Sequence, residues 1–302
     1  MTLAIFVYAA VAVFVAGNAC RVRRILAMPA HLRWELYPIP RGPAERQRYG
    51  GSYFEESEWW TKPLARGVLS EAAFIAQEVV FQKSVWKHNR ALWPWSWLLH
   101  AGLYGLVGAL LLAVAAVGAT RFGMRGTLVE PWAAMLPWFC MPAGLLGATG
   151  LGILRLSSHE LRPYSSRATF LNLAVLAAIF GTGLASLLHP HGGSLMVELL
   201  GAVLRAKAAP ALPAVAVAHV IALGCFIAYF PFTQMTHAYM KFFAFHRVRW
   251  DDTPTRADAR MQARISANLQ RPITWSAPHI RGAGATWAEV TATGAGNDAT
   301  RS

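Results

Sequence analysis

The stretch from His219 to His237, "HVIALGCFIAYFPFTQMTH", is apolar sequence with an imidazole at each end. Its length is that of a membrane crossing, since about 20 apolar residues of helix span the ~30 Å hydrocarbon layer. Eighteen residue steps advance an ideal helix by about 1800°, or five whole turns, so the spacing predicts both rings on one face, roughly 27 Å apart. An ionisable side chain at membrane depth is costly and is by default a functional hypothesis, although a single such histidine is more often a hydrogen-bonded packing residue. Two in phase ask for a shared explanation.

The rest of the chain agrees with a membrane setting. Of 302 residues, 55% are hydrophobic and 14% charged, and the mean hydropathy is +0.34, which is too apolar for an ordinary soluble domain. Five stretches are long enough to cross: Leu3 to Ala19, Ala91 to Ala116, Pro131 to Leu154, Ala168 to Leu188 and Ala211 to Phe232. The fold class is therefore an all-α integral membrane protein with five transmembrane helices.

The net charge of +13 raises the question of nucleic acid or anionic lipid, and the position of the cations answers it. Of the 28 Lys and Arg, 24 fall in the connection between spans one and two, the connection between spans three and four, and the segment after span five. The other two connections hold four: Arg121, Arg125, Arg205 and Lys207. This is the positive-inside pattern, carried best by Arg21, Arg23 and Arg24 directly after span one. It predicts an outside N-terminus, a long cytoplasmic first loop over 21–90 and a cytoplasmic tail over 251–302, with membrane lipid and no nucleic acid as surroundings. The N-terminal span has no basic residue before its apolar core and a basic cluster after it, so it is expected to stay as an anchor.

The first loop opens with "HLRWELYPIPRGP", whose prolines exclude a regular helix. A helix is expected over "EAAFIAQEVVFQKSVWKHNR", capped by Ser70, lying on the membrane surface and leading into span two. Trp86, Trp93, Trp95 and Trp97, with Trp132 and Trp138, form an interfacial aromatic belt. The tail after Trp250 is polar and has too few apolar residues for a core of its own, so "ITWSAPHI" is expected to lie on a partner. Cys20, Cys140 and Cys225 form no CxxC pair, which leaves neither a zinc nor an iron–sulfur site. No GxGxxG, Walker, HExxH or Ser/His/Asp pattern is present, so hydrolysis and nucleotide chemistry have no support and no catalytic residue is assigned.

Position sorts the ten histidines. His219 and His237 lie on span five, His100 in span two, and His88 twelve residues before His100. His31, His159, His189, His191, His246 and His279 lie in loops or the tail. Spans two and five run in opposite directions, so His100 is expected beside His219 and His88 beside His237, with His31 as the rival of His88. A haem held by two imidazoles takes one ring from each of two facing helices, and two helices with two histidines each would hold two haems stacked across the bilayer. Twelve helical steps leave His88 and His100 about 120° out of phase; a kink at Pro94 would relieve this. Gly102, Gly105 and Gly108 bare a strip that a macrocycle or a neighbouring helix could approach.

These residues resemble the gamma subunit family of respiratory nitrate reductases, five-helix b-type cytochromes, and its broader relatives. Over about residues 1 to 250, "HLRWELYP", "YGGSYFEESEWWTKP", "HNRALWPWSWLLHAGLY" and "FHRVRWDD" look like the branch whose members sit beside iron–sulfur subunits of the heterodisulfide-reductase type. The resemblance implies a 1–250 cytochrome b membrane domain and a 251–302 docking tail in a multi-subunit complex of the bacterial cytoplasmic membrane. It also implies two b haems carrying electrons between membrane quinone or quinol and a cytoplasmic iron–sulfur subunit. His100 and His219 match the outer haem ligands, and His88 and His237 the inner ones. The twelve-residue interval in span two departs from the ten-residue interval of the nitrate reductase branch. Quinol in that family is oxidised near the outer haem, where Arg121 and Arg125 are the nearest basic side chains. A haem-free structural membrane anchor is the alternative.

Overall fold

The computed structural model describes residues 2–27, 57–58, 61–62, 68–121, 129–190, 192–207, 210–244, 259–276 and 284–294. His31, His191, His246, His279 and Arg125 lie outside these, as do "HLRWELYPIP" and all of "YGGSYFEESEWW" except Ser57 and Glu58. The described chain is helical, without strands; its one isolated bridge joins Pro272 and Thr286.

The helices are α1 (Thr2–Leu26), α2 (Val68–Val80), α3 (Lys83–His88), α4 (Trp93–Arg121), α5 (Glu130–Ser157), α6 (Arg167–Leu187), α7 (Gly192–Leu204), α8 (Ala214–Tyr229), α9 (His237–Ala244), α10 (Ala259–Leu269) and α11 (Trp287–Gly294). Five are long and apolar enough to cross a membrane: α1, α4, α5, α6, and α8 with its short extension to Phe232. The chain is a multi-pass membrane protein. Its outward faces are apolar, with Phe139 70% and Ile153 67% exposed, as expected where lipid replaces water as the solvent of a bundle whose backbone groups are satisfied within each helix.

Residues 1–18 and 73–233 form one compact unit, and 19–72 with 234–302 form another. In the first, α4 and α5 pack along a seam of small residues. A Cβ placed on Gly147 would fall 2.2 Å from the Leu99 backbone nitrogen, and one on Gly102 would fall 2.6 Å from the Gly144 Cα. Trp95 lies on Gly150 and Cys140 on Gly105. Lipid tails are as apolar as leucine, so helices in a bilayer associate through such close backbone approach. Of the two readings of the Gly102–Gly105–Gly108 strip, the neighbouring helix is what occupies Gly102 and Gly105. Gly144 also receives the ring of Phe180 from α6, a side chain that is fully buried. On the other side of the unit, Phe6 of α1 packs on Gly224 of α8, Tyr8 donates to the Val203 carbonyl, and Leu199, Val203 and Val220 form a small core with Leu3, Val7 and Met196.

Four expectations about the helices are corrected by the structure. The helix expected to run unbroken from His219 to His237 stops at Tyr229; Phe230–Phe232 and Gln234–Thr236 are 3-10 turns, and His237 opens a new helix. The cause is Pro231, which has no N–H to donate and whose ring disfavours the preceding turn; the Thr233 N–H turns back to Phe230 O at 3.1 Å. The phase relation between the two imidazoles therefore does not hold. Pro94 occupies the first turn of α4, where a missing N–H costs nothing, so it starts the helix instead of kinking it. The surface helix is two helices, broken at Gln82, and Ser70 sits inside α2 rather than capping it.

In the second unit the tail is not structureless. The Ile273 N–H donates to Ala285 O at 2.8 Å and the Gly284 N–H to Ile273 O at 3.2 Å. Ile273 is 2% exposed, and the rings of Trp275 and Trp287 meet edge to face at 6.2 Å. Thr286 and Glu289 cap α11 reciprocally: the carboxylate accepts the Thr286 N–H at 2.7 Å and the hydroxyl accepts the Glu289 N–H at 3.3 Å. These local bonds organise the segment despite its few apolar residues.

Candidate functional site

His219 lies on α8 and is 2% exposed. Its Nδ1 is 3.1 Å from the Ile179 carbonyl and 3.2 Å from Thr182 Oγ1, both on α6. A carbonyl can only accept, so Nδ1 carries the proton and the neutral ring holds its lone pair on Nε2. The Thr182 hydroxyl donates to Ala178 O at 2.7 Å, which leaves its oxygen as an acceptor toward Nδ1. Room for the ring comes from Gly183, where a Cβ would fall 2.9 Å from His219 Cε1 and 2.7 Å from Met141 Sδ.

His100 is oriented in the same way. Its Nδ1 is 2.7 Å from the Ser96 carbonyl one turn earlier on α4, so here too the proton sits on Nδ1. His100 shares a face of α4 with Trp93, Trp97 and Tyr104, because these positions recur at three- and four-residue steps. The three neighbours bind the end of α2: Trp93 Nε1 donates to Phe81 O at 2.8 Å, Trp97 Nε1 to Val80 O at 3.1 Å, and the Tyr104 hydroxyl to Val79 O at 3.1 Å. The last carbonyls of a helix lack intrahelical partners, and α4 supplies them. Trp93, Trp97 and Tyr104 thus cap the C-terminus of α2.

Close approaches between neighbouring helices relate the levels of the two rings. Leu99 is opposite Gly147 on α5, Phe180 of α6 is opposite Gly144, and Gly183 faces both Met141 and His219. Carried across the bundle, the level of His100 differs from that of His219 by about one turn, roughly 5–8 Å. Among the described residues the extensive pairings are α4 on α5, α5 on α6 and α6 on α8. No comparable packing joins α4 to α8, so two helices with oriented imidazoles stand apart at similar height.

The other expected pair is less alike. His237 is exposed at the start of α9 with Nδ1 3.0 Å from the Gln234 carbonyl, and it belongs to the second unit. His88 is exposed at the end of α3, in the first unit, and its side chain makes no hydrogen bond among the described residues. His159 and His189 are exposed in connections. Arg121 ends α4. The three cysteines are free, with Cys140 buried in the α4–α5 seam.

Among the described residues no three His, Cys, Asp or Glu side chains converge on a metal-binding point. A haem asks less of the protein, because the macrocycle holds the iron and the chain adds only axial ligands. Neutral imidazoles with Nδ1–H fixed on a carbonyl are the form in which histidine ligates a metal through Nε2. His219, His100 and His237 fit that chemistry; His88 lacks the orienting bond. The sequence reading missed Thr182, Gly183 and Met141, which carry no motif and meet His219 only through tertiary packing, and it missed Gln82, whose amide also reaches Ser96 O, at 3.3 Å. Comparison with protein-family models, with curated proteins and with solved structures found no match to the chain.

Proposed function

We propose that the chain is a membrane cytochrome b subunit that carries electrons between the quinone pool and a cytoplasmic iron–sulfur subunit of the heterodisulfide-reductase type. Two b haems would be held by His100 with His219 and by His88 with His237. When bound, each haem supplies a one-electron relay. The observation that carries the reading is His219: an imidazole 2% exposed, at membrane depth, held by the Ile179 carbonyl in the tautomer that presents Nε2. His100 repeats the arrangement, about one turn away in level, on a helix that has no extensive packing against α8 among the described residues. Ile179 and Thr182 orient one ring and Ser96 the other, while Gly183 leaves the space the first ring needs. The sequence charge pattern supports an outside N-terminus and a cytoplasmic tail, in the cytoplasmic membrane of a bacterium.

The second reading is a haem-free membrane anchor of a redox complex. It is favoured by the same two hydrogen bonds of His219, which also satisfy a purely structural imidazole. A pyridine haemochrome assay on the purified chain separates the two. The proposal expects about two b haems per chain, each low-spin with both axial positions filled. A value near zero in a folded, monodisperse preparation would leave the anchor.

A further inference from the structure

Gln82 stands at the break between α2 and α3 with φ 50° and ψ 48°, the left-handed region that non-glycine residues seldom adopt. It is 6% exposed, and its Oε1 is buried without a hydrogen-bond partner, which is unfavourable for an amide oxygen. Two local costs at one residue call for an offsetting role. The other half of the amide supplies one: Nε2 donates to the Ser96 carbonyl at 3.3 Å. The chain on either side of Gln82 is fixed. The carbonyls of Val79, Val80 and Phe81 accept from Tyr104, Trp97 and Trp93 of α4, and the Trp86 N–H donates to Gln82 O at 3.0 Å. The amide is thus delivered to Ser96 by an anchored backbone.

Ser96 is also where α4 orients His100. The same carbonyl accepts from His100 Nδ1 at 2.7 Å, and the helical pattern of α4 directs the His100 backbone N–H to it as well. A carbonyl oxygen has two lone pairs, so three donors compete for it and each holds a smaller share than it would alone. The Gln82 contact is the longer of the two side-chain bonds, so it trims the imidazole bond and does not replace it. The strength of that bond matters beyond orientation. A strong acceptor at Nδ1 draws the proton and leaves more electron density on Nε2, which is how outer partners tune a ligating histidine. A further donor on the acceptor works in the opposite sense.

We propose that Gln82 is a positioning residue for His100: its amide N–H shares the Ser96 carbonyl with the imidazole and holds the Nδ1 bond weaker than that carbonyl alone would make it. An imidazole with less electron density on Nε2 stabilises oxidised iron less, so a haem on His100 keeps a higher potential than it would without Gln82. This consequence for a haem rests on the electron-carrier reading above; the sharing of the carbonyl does not.

The test is NMR of the imidazole N–H groups in the full chain, isotope-labelled at histidine, in phosphatidylcholine nanodiscs under reducing conditions where low-spin haem is diamagnetic. The His100 resonance is assigned by its absence in His100→Ala. Gln82→Met removes the donor at nearly constant volume. Gln82→Gly removes it in a residue that adopts φ 50° without cost, and so serves should the first variant fail to fold. In either, the His100 Nδ1–H resonance should move downfield as its bond to Ser96 strengthens, and that of His219 should stay. An unmoved or upfield His100 resonance overturns the proposal, and so does a shift of equal size at His219, which a general loosening of the bundle would give. Opposite shifts in the two variants would follow backbone strain in place of the amide and are equally fatal. Haem content and redox titration are run on the same samples, where one of two potentials should fall; two haems with both potentials unmoved overturn the consequence drawn for the haem. The downfield shift in a preparation without haem keeps the shared carbonyl and removes the electron-carrier reading, whereas two haems with an unmoved resonance remove the role of Gln82 alone.

Discussion

At His219 two groups orient the ring and one glycine admits it, and each can be tested separately. His219→Ala should reduce haem from about two per chain to about one, read as the loss of one of two midpoint potentials in a redox titration. Thr182→Val deletes the acceptor at 3.2 Å and leaves the Ile179 carbonyl at 3.1 Å. Loss of such a supporting partner at metal-ligating histidines costs about 10–100-fold in affinity or activity, so the variant should hold the same haem more weakly and shift only one potential. Gly183→Val places carbon where His219 Cε1 and Met141 Sδ lie within 3 Å of the added Cβ. Met141 can yield; the ring, tied to α6, cannot do so without losing its hydrogen bonds. The same haem should be lost while the second potential persists, and loss of both or neither counts against the assignment.

At the scale of elements, the α4–α5 seam is where side-chain volume matters most. At Gly147 the obstacle to a Cβ is the Leu99 backbone, at 2.2 Å, and backbone in a packed helix pair has little freedom to retreat. Gly147→Leu should destabilise the bundle by about 1–3 kcal/mol or more, the usual cost of overpacking, seen as a lower midpoint in thermal or denaturant unfolding. Gly118 and Gly152 have open space around the added carbon, and alanine there should leave the midpoint almost unchanged. In the second unit, hydrogen bonds from the Thr286 backbone and side chain hold the Glu289 carboxyl below the ordinary glutamate value of 4.5. A depressed folded-state value means that the cap contributes fully at neutral pH and is lost as pH falls below about 4.5 through the depressed value. Hydrogen exchange of the first turn of α11 should therefore speed up on acidification in the native chain. In Glu289→Gln it should be insensitive to pH in that window, apart from intrinsic chemistry.

For the whole molecule, orientation is the testable property that the helices leave open. A C-terminal alkaline phosphatase fusion should be inactive and a fluorescent protein fusion bright if the tail is cytoplasmic; the reverse pattern would invert every assignment of inner and outer side. Much of the architecture was legible from the sequence, since all five spans are recovered to within a few residues at most ends. The candidate site was legible only in part. His219 is marked by its place in a long apolar stretch, but it shares no helical phase with His237, because Pro231 between them ends the helix. The break at Asn89–Leu92 puts His88 and His100 on different helices, so a count of residues between them carries no angular meaning.

The sequence by itself determined that this chain has five segments long and apolar enough to cross a membrane, because that depends on the apolar length of each segment and on nothing distant from it. It also determined which imidazoles lie within or beside those segments. Only the tertiary structure decided how they are held. That His219 turns Nδ1 to a carbonyl on α6, that Gly183 makes room for it, and that Trp93, Trp97 and Tyr104 close the end of α2 beside His100 are relations between residues 12 to 40 positions apart. Local periodicity carries no information about such pairs. They follow from which small residues let two helices approach, and that choice is made by the packed bundle as a whole.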